Sequence, residues 1–403
     1  MAPAPPARPG PARPEVQDAV RSLGAAARAV RIPMRERLPY WLAYMRLARR
    51  GTMVHSPTHD AVYEDGPLTR RYHRALERIN ERLARLPRRE APAPIPVFAA
   101  DELTEGDLDL LRRSRLPYVA RGAASHLPAM DWTLEYLEEG WGHHEGPINQ
   151  ASDEPDPDTS RPTKMHHYYD FRIGTLAEVA ASIRAGGKAR YVVAQDVMHA
   201  DDDRLLRDVE LESWEPYSGW DRNRHHWLKR RLYVGKLFSA QLLLQPEDAF
   251  SLWHTEAGDN FFVLAKGRKR WTLCHPVYTA AMRPRVKKTT NYTGSNIDLR
   301  ESDEVLESRG FRGYLSIPLV SVELEPGDML RVPSFWWHTV ETLPGEPTIA
   351  SSMRVESGPD LTAPALLAMR LLDEQTHAMM KAYERDGRIT DALIGQPRKS
   401  RSA

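Results

Sequence analysis

Cysteine is nearly missing from this sequence: Cys274 is the only one in 403 residues. A lone cysteine closes no internal disulfide and excludes multi-cysteine zinc or iron–sulfur sites. It fits a reducing compartment, so a cytoplasmic location is expected. Net charge is also lacking. Lys and Arg number 56 against 55 Asp and Glu, a formal charge of +1. The chain as a whole therefore exerts no pull on nucleic acid or an anionic bilayer, and neither is expected as a partner. No run approaches the roughly 18 apolar residues needed to span a membrane. The opening stretch "MAPAPPARPGPARPEVQDAV" also lacks the apolar core of a secretory signal. Its Pro, Ala and Arg content predicts a disordered leader over 1–14, too poor in apolar surface to offset the entropy of ordering.

What is present divides along the chain. From 15 to 91 the segments "EVQDAVRSLGAAARAV", "RERLPYWLAYMRLARR" and "LTRRYHRALERINERLARL" carry apolar residues at three and four spacing, the pattern of a helical extension. "REAPAPIPVF" breaks it with prolines that favour an extended linker. Beyond it come a short strand, a helix with an acidic first turn, a second strand "PYVARG", and the compact helix "MDWTLEYLEEGWG". "GPINQASDEPDPDTSRPTK", acidic and Pro-rich, predicts an exposed loop. From "HHYYDF" onward, short β-patterned runs dominate, separated by Gly, Pro and Asp turns as in an antiparallel barrel or sandwich. Pro326 and Gly327 in "EPGD" are the pair that a type II turn requires. The end, 357–396, returns to a helical stripe of Leu, Met and Ala, a packing face for the barrel or a second subunit.

The chemistry concentrates in "LWHTEAGDNFFVLAKGRKRWTL". Residues two apart on a strand share a face, so His254 and Glu256 present an imidazole and a carboxylate side by side. His-x-Glu recurs by chance. Joined by His338 of "VPSFWWHTV", it makes the two-His-one-carboxylate face of a non-haem Fe(II) oxygenase. In the basic knot that follows, Lys266 and Gly267 suit a hairpin turn. Beyond the turn, Lys269, Trp271 and Leu273 share one face while Arg268, Arg270 and Thr272 share the other. An inward face bearing Trp and Leu carries Lys269 into the barrel and leaves the arginines in solvent. The adjacent pairs His143–His144, His166–His167 and His225–His226 point to opposite faces of a strand and read as surface residues. Cys274 reads as a small buried apolar residue. "WEPYSGWDRNRHHW" reads equally as a substrate lid or a structural insertion.

The segments "IPVFAADELT", "LPYVARGAA", "WTLEYLEE", "RYVVAQD", "HTEAGDNFFVLAKGRKRWTLCHP", "VELEPGDMLRVPSFWWHTV" and "TIASSMRV" occur in this order over about 94–356. Together they resemble the Jumonji-C and cupin-like 2-oxoglutarate oxygenases, especially the factor-inhibiting-HIF and JmjC-only hydroxylases. The resemblance implies a mainly β fold, a double-stranded β-helix (jelly roll) flanked by helices, whose mouth holds Fe(II) with 2-oxoglutarate and O2 as co-substrates. It implies His254, Glu256 and His338 as the metal ligands and catalytic centre. Lys269 matches the lysine on the distal carboxylate of 2-oxoglutarate, and Asn260 an asparagine near the co-substrate. Ser251 matches a hydroxyl residue three before the first ligand, and Tyr191 a tyrosine on an early strand that helps hold the same carboxylate. Arg354, on a late strand, competes with Lys269, because many other 2-oxoglutarate oxygenases keep their carboxylate-binding arginine there.

The sequence departs from that pattern at Glu256, where most of the hydroxylase branch has aspartate and the histone-demethylase branch glutamate. It also lacks the aromatic or asparagine-rich pattern often found on the last core strand. The expected activity is hydroxylation of a C–H bond in an amino-acid side chain of a peptide or protein, or in a small natural-product scaffold, with release of succinate and CO2. A carboxylate at position 256 argues against a halogenase. N-demethylation by the same chemistry, a metal enzyme that ignores 2-oxoglutarate, and a non-catalytic cupin-like binding protein remain alternatives. Related hydroxylases pair two subunits through C-terminal helices, so a homodimer is an expectation here too.

Overall fold

The computed structural model describes residues 9–50, 54–55, 61–62, 66–151, 169–187, 189–201, 203–232, 234–284 and 292–358. Leader residues 1–8 and the expected C-terminal helical region from 359 onward, with its dimer contact, lie outside the described residues.

Three helices come first: α1 (Pro14–Ala26), α2 (Met34–Arg50) and α3 (Pro67–Leu83), with two-residue strands β1 (Val54–His55) and β2 (Ala61–Val62) between the last two. Pro14 and Pro67 stand in the first turns of their helices, where a missing N–H removes no intrahelical bond. α3 buries Tyr72, Ala75, Leu76, Ile79 and Leu83, one stripe at three and four spacing.

There follow β3 (Ala93–Pro94), β4 (Val97–Ala99), α4 (Glu105–Ser114), β5 (Tyr118–Arg121), α5 (Leu134–Trp141), β6 (Glu145–Ala151), β7 (Tyr169–Thr175), α6 (Leu176–Arg184), β8 (Ala189–Ala194) and β9 (Leu237–Gln245). α4 starts on a capping box in which the Thr104 hydroxyl accepts from Asp107 N–H and the Asp107 carboxylate accepts from Thr104 N–H. The last strands are β10 (His254–Glu256), β11 (Asp259–Lys266), β12 (Lys269–Cys274), β13 (Tyr292–Gly294), β14 (Val320–Leu324), β15 (Met329–Val332), β16 (Trp337–Thr342) and β17 (Thr348–Val355). In the EPGD turn Gly327 has φ +89° and Asp328 N–H donates to Glu325 O, as the Pro-Gly pair requires.

These strands form two large mixed sheets. One has the order β13-β10-β16-β12-β14-β3 and the other β4-β5-β15-β11-β17-β9-β8-β6-β7. Between them Phe262, Leu264, Leu330, Val332 and Ala350 meet Trp271, Leu273, Val320 and Leu324, the interior of a jelly-roll-like sandwich. The outer face of the nine-stranded sheet packs Leu242, Leu244, Phe261 and Val263 against Trp141, Leu176, Val179 and Ile183 around α5 and α6. The outer face of the six-stranded sheet packs Trp253, Cys274 and Trp337 against Tyr40, Trp41, Tyr44, Leu76 and Ile79 of α2 and α3. Each such large side chain, fully buried, contributes about 1.5–3 kcal/mol. The alternation fixes what points inward: Trp253, Cys274 and Trp337 lie outside, so His254, Leu273 and His338 lie inside.

One expectation is corrected. The start of "GPINQASDEPDP" is not loop but the body of β6, which is paired with β7 on one side and β8 on the other. Ladder bonds on both edges and the buried Ile148 outweigh the turn propensity of Gly and Pro. Residues 152–168 lie outside the described residues. The segment around "WEPYSGWDRNRHHW" folds as short helical turns stitched to α4, with Arg222 paired to Asp109 at 3.0 Å and Arg112 donating to Pro216 O. Its Trp227 is 71% exposed.

Candidate metal and co-substrate site

The pairing of β10 with β16 sets His254 directly opposite His338, and their ring centroids are 4.1 Å apart. Each imidazole is oriented by the chain just before it. His254 Nδ1 lies 2.8 Å from Leu252 O, and His338 Nδ1 lies 3.0 Å from Trp336 O. A carbonyl oxygen can only accept, so both Nδ1 atoms carry a proton, which makes Nε2 of each ring the nitrogen that could ligate a metal. Metal-binding histidines are held in the same way. Burial, then the neighbouring His254, hold the His338 pKa well below the usual histidine value, so its ring is neutral, as a ligand must be.

The loop that delivers His338 is docked on the turn after Glu256. Phe335 takes a left-handed conformation with φ 66°, a strain on the order of 1–2 kcal/mol. Its N–H donates to Glu256 O at 2.9 Å. Gly258 N–H donates to Ser334 Oγ at 3.0 Å, and Ser334 N–H to Asp259 Oδ1 at 3.0 Å. Gly258 has φ +92°, and a Cβ there would meet the Phe238 ring at 2.7 Å and Val355 O at 2.9 Å, so only glycine fits. Asp259 in turn pairs with the buried Arg331, whose guanidinium also donates to Leu111 O at 2.6 Å and Arg112 O at 3.2 Å at the end of α4. With Arg331 beside it, the Asp259 carboxyl is lowered against the opposing effect of burial.

Glu256 lies two residues beyond His254 on the same face of β10. Both its oxygens are taken: Arg354 Nε donates to Oε2 at 2.7 Å and Nη2 to Oε1 at 2.8 Å. β10 belongs to the six-stranded sheet and β17, which carries Arg354, to the nine-stranded one, so this fork joins the two layers. Among the described residues no three His, Cys, Asp or Glu side chains converge as a ready metal cluster. The structure thus brings two expected ligands together and holds the carboxylate of the third on Arg354. The donor set suits a hard or borderline divalent ion: two oriented imidazoles, with a carboxylate on the same strand face.

Lys269 faces inward on β12, opposite Thr342 and Leu324, and is 1% exposed. Its ammonium donates to Gln245 Oε1 and, at 3.0 Å, to Thr342 Oγ1. It stands four residues along the strand from Leu273, which is opposite His338, a span of roughly 13 Å. Trp271 lies between them, its ring 5.3 Å from that of His338 and 4.8 Å from Phe262. Arg268 and Arg270 point the other way, to Glu323 at 2.9 and 2.6 Å.

The remaining expected residues separate. Asn260 is buried opposite Arg354, and its Oδ1 accepts from Ser352 Oγ at 2.8 Å. The Ser251 hydroxyl accepts from Val340 N–H at 3.0 Å, pinning the approach to β10 onto β16. Arg354 engages Glu256 as described. Tyr191 stands in register with Ile148 and Leu244, both in the outer cluster of the nine-stranded sheet; its side chain lies outside the described residues.

Sequence reasoning missed Gln245, Thr342 and Ser239. Ser239 is opposite Arg354 in register, with a buried hydroxyl for which no hydrogen-bond partner is described. The signal was there in "FSAQLLLQ": Ser239, Gln241 and Gln245 are polar at every second or fourth place in an otherwise apolar strand, which marks a polar inner wall.

Residues 109–355 match the model of the cupin-like domain family. A stretch of 87 residues is 36% identical to "HSPB1-associated protein 1 homolog" of Danio rerio, covering 21% of this chain and 18% of that protein. Another of 94 residues is 30% identical to "JmjC domain-containing protein C" of Dictyostelium discoideum, covering 23% of this chain and 21% of that protein. The aligned part is thus about a fifth of each relative's length. With the matched segment spanning well over half the sequence and holding all but one edge strand of each facing sheet, the chain belongs to the cupin-like domain family.

Proposed function

We propose that this chain is an Fe(II)- and 2-oxoglutarate-dependent dioxygenase that hydroxylates a C–H bond. The first substrate class to test is an amino-acid side chain in a peptide or protein, and a small natural-product scaffold is the next. The observation that carries this reading is the facing pair His254 and His338, each ring oriented through Nδ1, with a buried lysine on the same inner face of the neighbouring strand.

His254 and His338 would hold the metal through Nε2, and Glu256 would complete the face by sharing its carboxylate with Arg354. Fe(II) held there would supply O2 activation, with one oxygen atom entering the C–H bond and the other entering 2-oxoglutarate as it loses CO2 to become succinate. Lys269 would take the distal carboxylate of the 2-oxo acid, exchanging the neutral oxygens of Gln245 and Thr342 for a charged partner. Phe262 and Trp271, packed together, wall the space between lysine and histidines with apolar surface and keep bulk water out of it. Glutamate in the triad also leaves N-methyl groups as targets, and formaldehyde release would report them.

No helix of the described residues is long and apolar enough to cross a membrane, and we place the protein in the cytoplasm on its single cysteine. A homodimer through the C-terminal segment belongs to the same proposal.

One observation favours a second reading, a non-catalytic cupin-like binding protein: both oxygens of Glu256 are engaged by Arg354. Succinate formation from 2-oxoglutarate with Fe(II), ascorbate and air separates the two. Turnover lost in His254→Ala supports the dioxygenase. No turnover with the wild-type chain supports the binding protein.

A further inference from the structure

We propose that Arg354 is a latch on the third metal ligand: Arg354 and a divalent cation compete for the carboxylate of Glu256. This rests on the proposed metal centre at His254 and His338, and makes Arg354 a positioning residue rather than the anchor for 2-oxoglutarate.

Three features of the pair point this way. The fork is bidentate, 2.7 and 2.8 Å, so it fixes both oxygens and the plane of the carboxylate. It is also largely out of water, with side chains 15% and 12% exposed, where a charge pair is screened little. Finally, it spans the sandwich, from β10 in one sheet to β17 in the other. Glutamate's extra methylene over aspartate gives the reach for that crossing. Glutamate at 256, where the hydroxylase branch has aspartate, and Arg354 on the last core strand thus form one feature.

The electrostatics give a signed consequence. With Arg354 in place, an incoming dication meets a carboxylate whose charge is already balanced and a guanidinium that repels it. Without the guanidinium, Glu256 is a buried carboxylate lacking its cation, which destabilises the metal-free fold and draws a metal in. Removing Arg354 should therefore lower metal-free stability and raise metal affinity, opposite signs that simple structural damage does not produce. Ser239, opposite Arg354 in register and with its hydroxyl buried, offers an acceptor for a guanidinium that gives up one carboxylate oxygen.

The test is calorimetric titration of Mn(II) into the full chain stripped with chelator, for wild type, Arg354→Met, Arg354→Lys, His254→Ala and the double variant Arg354→Met with His254→Ala, beside thermal melts without metal. The latch requires Arg354→Met to bind Mn(II) roughly tenfold tighter than wild type while melting at a lower temperature. Arg354→Lys, which keeps the charge and loses the fork, should fall between. Equal or weaker binding in a folded Arg354→Met chain overturns the latch. If that variant does not fold, Arg354→Lys decides by the same sign. Mn(II) binding that appears in Arg354→Met alone and depends on His254 supports the latch in its strongest form. No His254-dependent binding in any variant overturns the metal centre itself, and the latch with it.

Discussion

His254 and His338 face each other across one antiparallel pair, ring centroids 4.1 Å apart, and each ring hangs from the backbone carbonyl two residues before it. This makes the two imidazoles a unit, and losing either should cost metal binding about equally. We expect His254→Ala and His338→Ala each to weaken Mn(II) binding by at least the roughly 10–100-fold that loss of an orienting partner produces. Titration calorimetry on chains of unchanged circular dichroism checks this. An effect confined to one histidine would break the pairing.

Lys269 and Arg354 now have different partners, so their variants should have different phenotypes. Lys269→Met should weaken 2-oxoglutarate binding by roughly 10–100-fold, the loss of a charge-assisted hydrogen bond. Mn(II) affinity should stay within about twofold. The readout is the Michaelis constant for 2-oxoglutarate beside a metal titration. A weakening of 2-oxoglutarate binding in Arg354→Met alone would return the anchor role to the arginine.

Acid should destabilise the metal-free chain earlier than carboxylate titration alone would. Burial lowers the pKa of His275 to about 3 and holds His338 well below its usual value. The unfolded chain binds these protons near pH 6.5 and the folded chain does not, so their contribution is present above that pH. It is lost as pH falls below 6.5, towards about 3 for His275, at about 1 kcal/mol per pH unit for each group. His275 Nδ1 accepts from Val277 N–H at the start of a helical turn, a capping role that asparagine can also play. His275→Asn should therefore flatten the slope of stability against pH between roughly 6 and 4. Urea unfolding at several pH values measures it, and an unchanged slope would count against this source.

The Asp259 and Arg331 pair ties β11, the end of α4 and the loop that carries Ser334 into one buried network. Asp259→Ala leaves the Arg331 charge buried without this partner, and we expect a loss of about 3–5 kcal/mol. Because Ser334 N–H donates to Asp259, Mn(II) affinity should fall as well. Denaturant unfolding and the metal titration together test this, and a loss below about 1 kcal/mol would mean that the network is not structural.

The inner face of the site could be read along single strands. Alternation alone put His254 with Glu256, and Lys269 with Trp271 and Leu273. It also sent Arg268 and Arg270 outward, where Glu323 meets them. What could not be read depends on which strands lie opposite. Arg354 and Glu256 are 98 residues apart and meet only because two sheets face each other. Tyr278 donates to Val30 O across 248 residues, one of the ties that lay the N-terminal helices on the outer face of the six-stranded sheet. No local pattern signals such a contact. β6 was hidden for the related reason that its ladder partners, and not its own Gly and Pro, make it a strand.

The most direct measurement is the visible absorption of the chain under anaerobic conditions with Fe(II) and 2-oxoglutarate added in turn. A metal held by His254 and His338 with the 2-oxo acid beside Lys269 should give a charge-transfer band that needs both additions. The band should be absent in His254→Ala and require much higher 2-oxoglutarate in Lys269→Met. No band in the wild-type chain, or one that survives His254→Ala, would contradict the proposed centre.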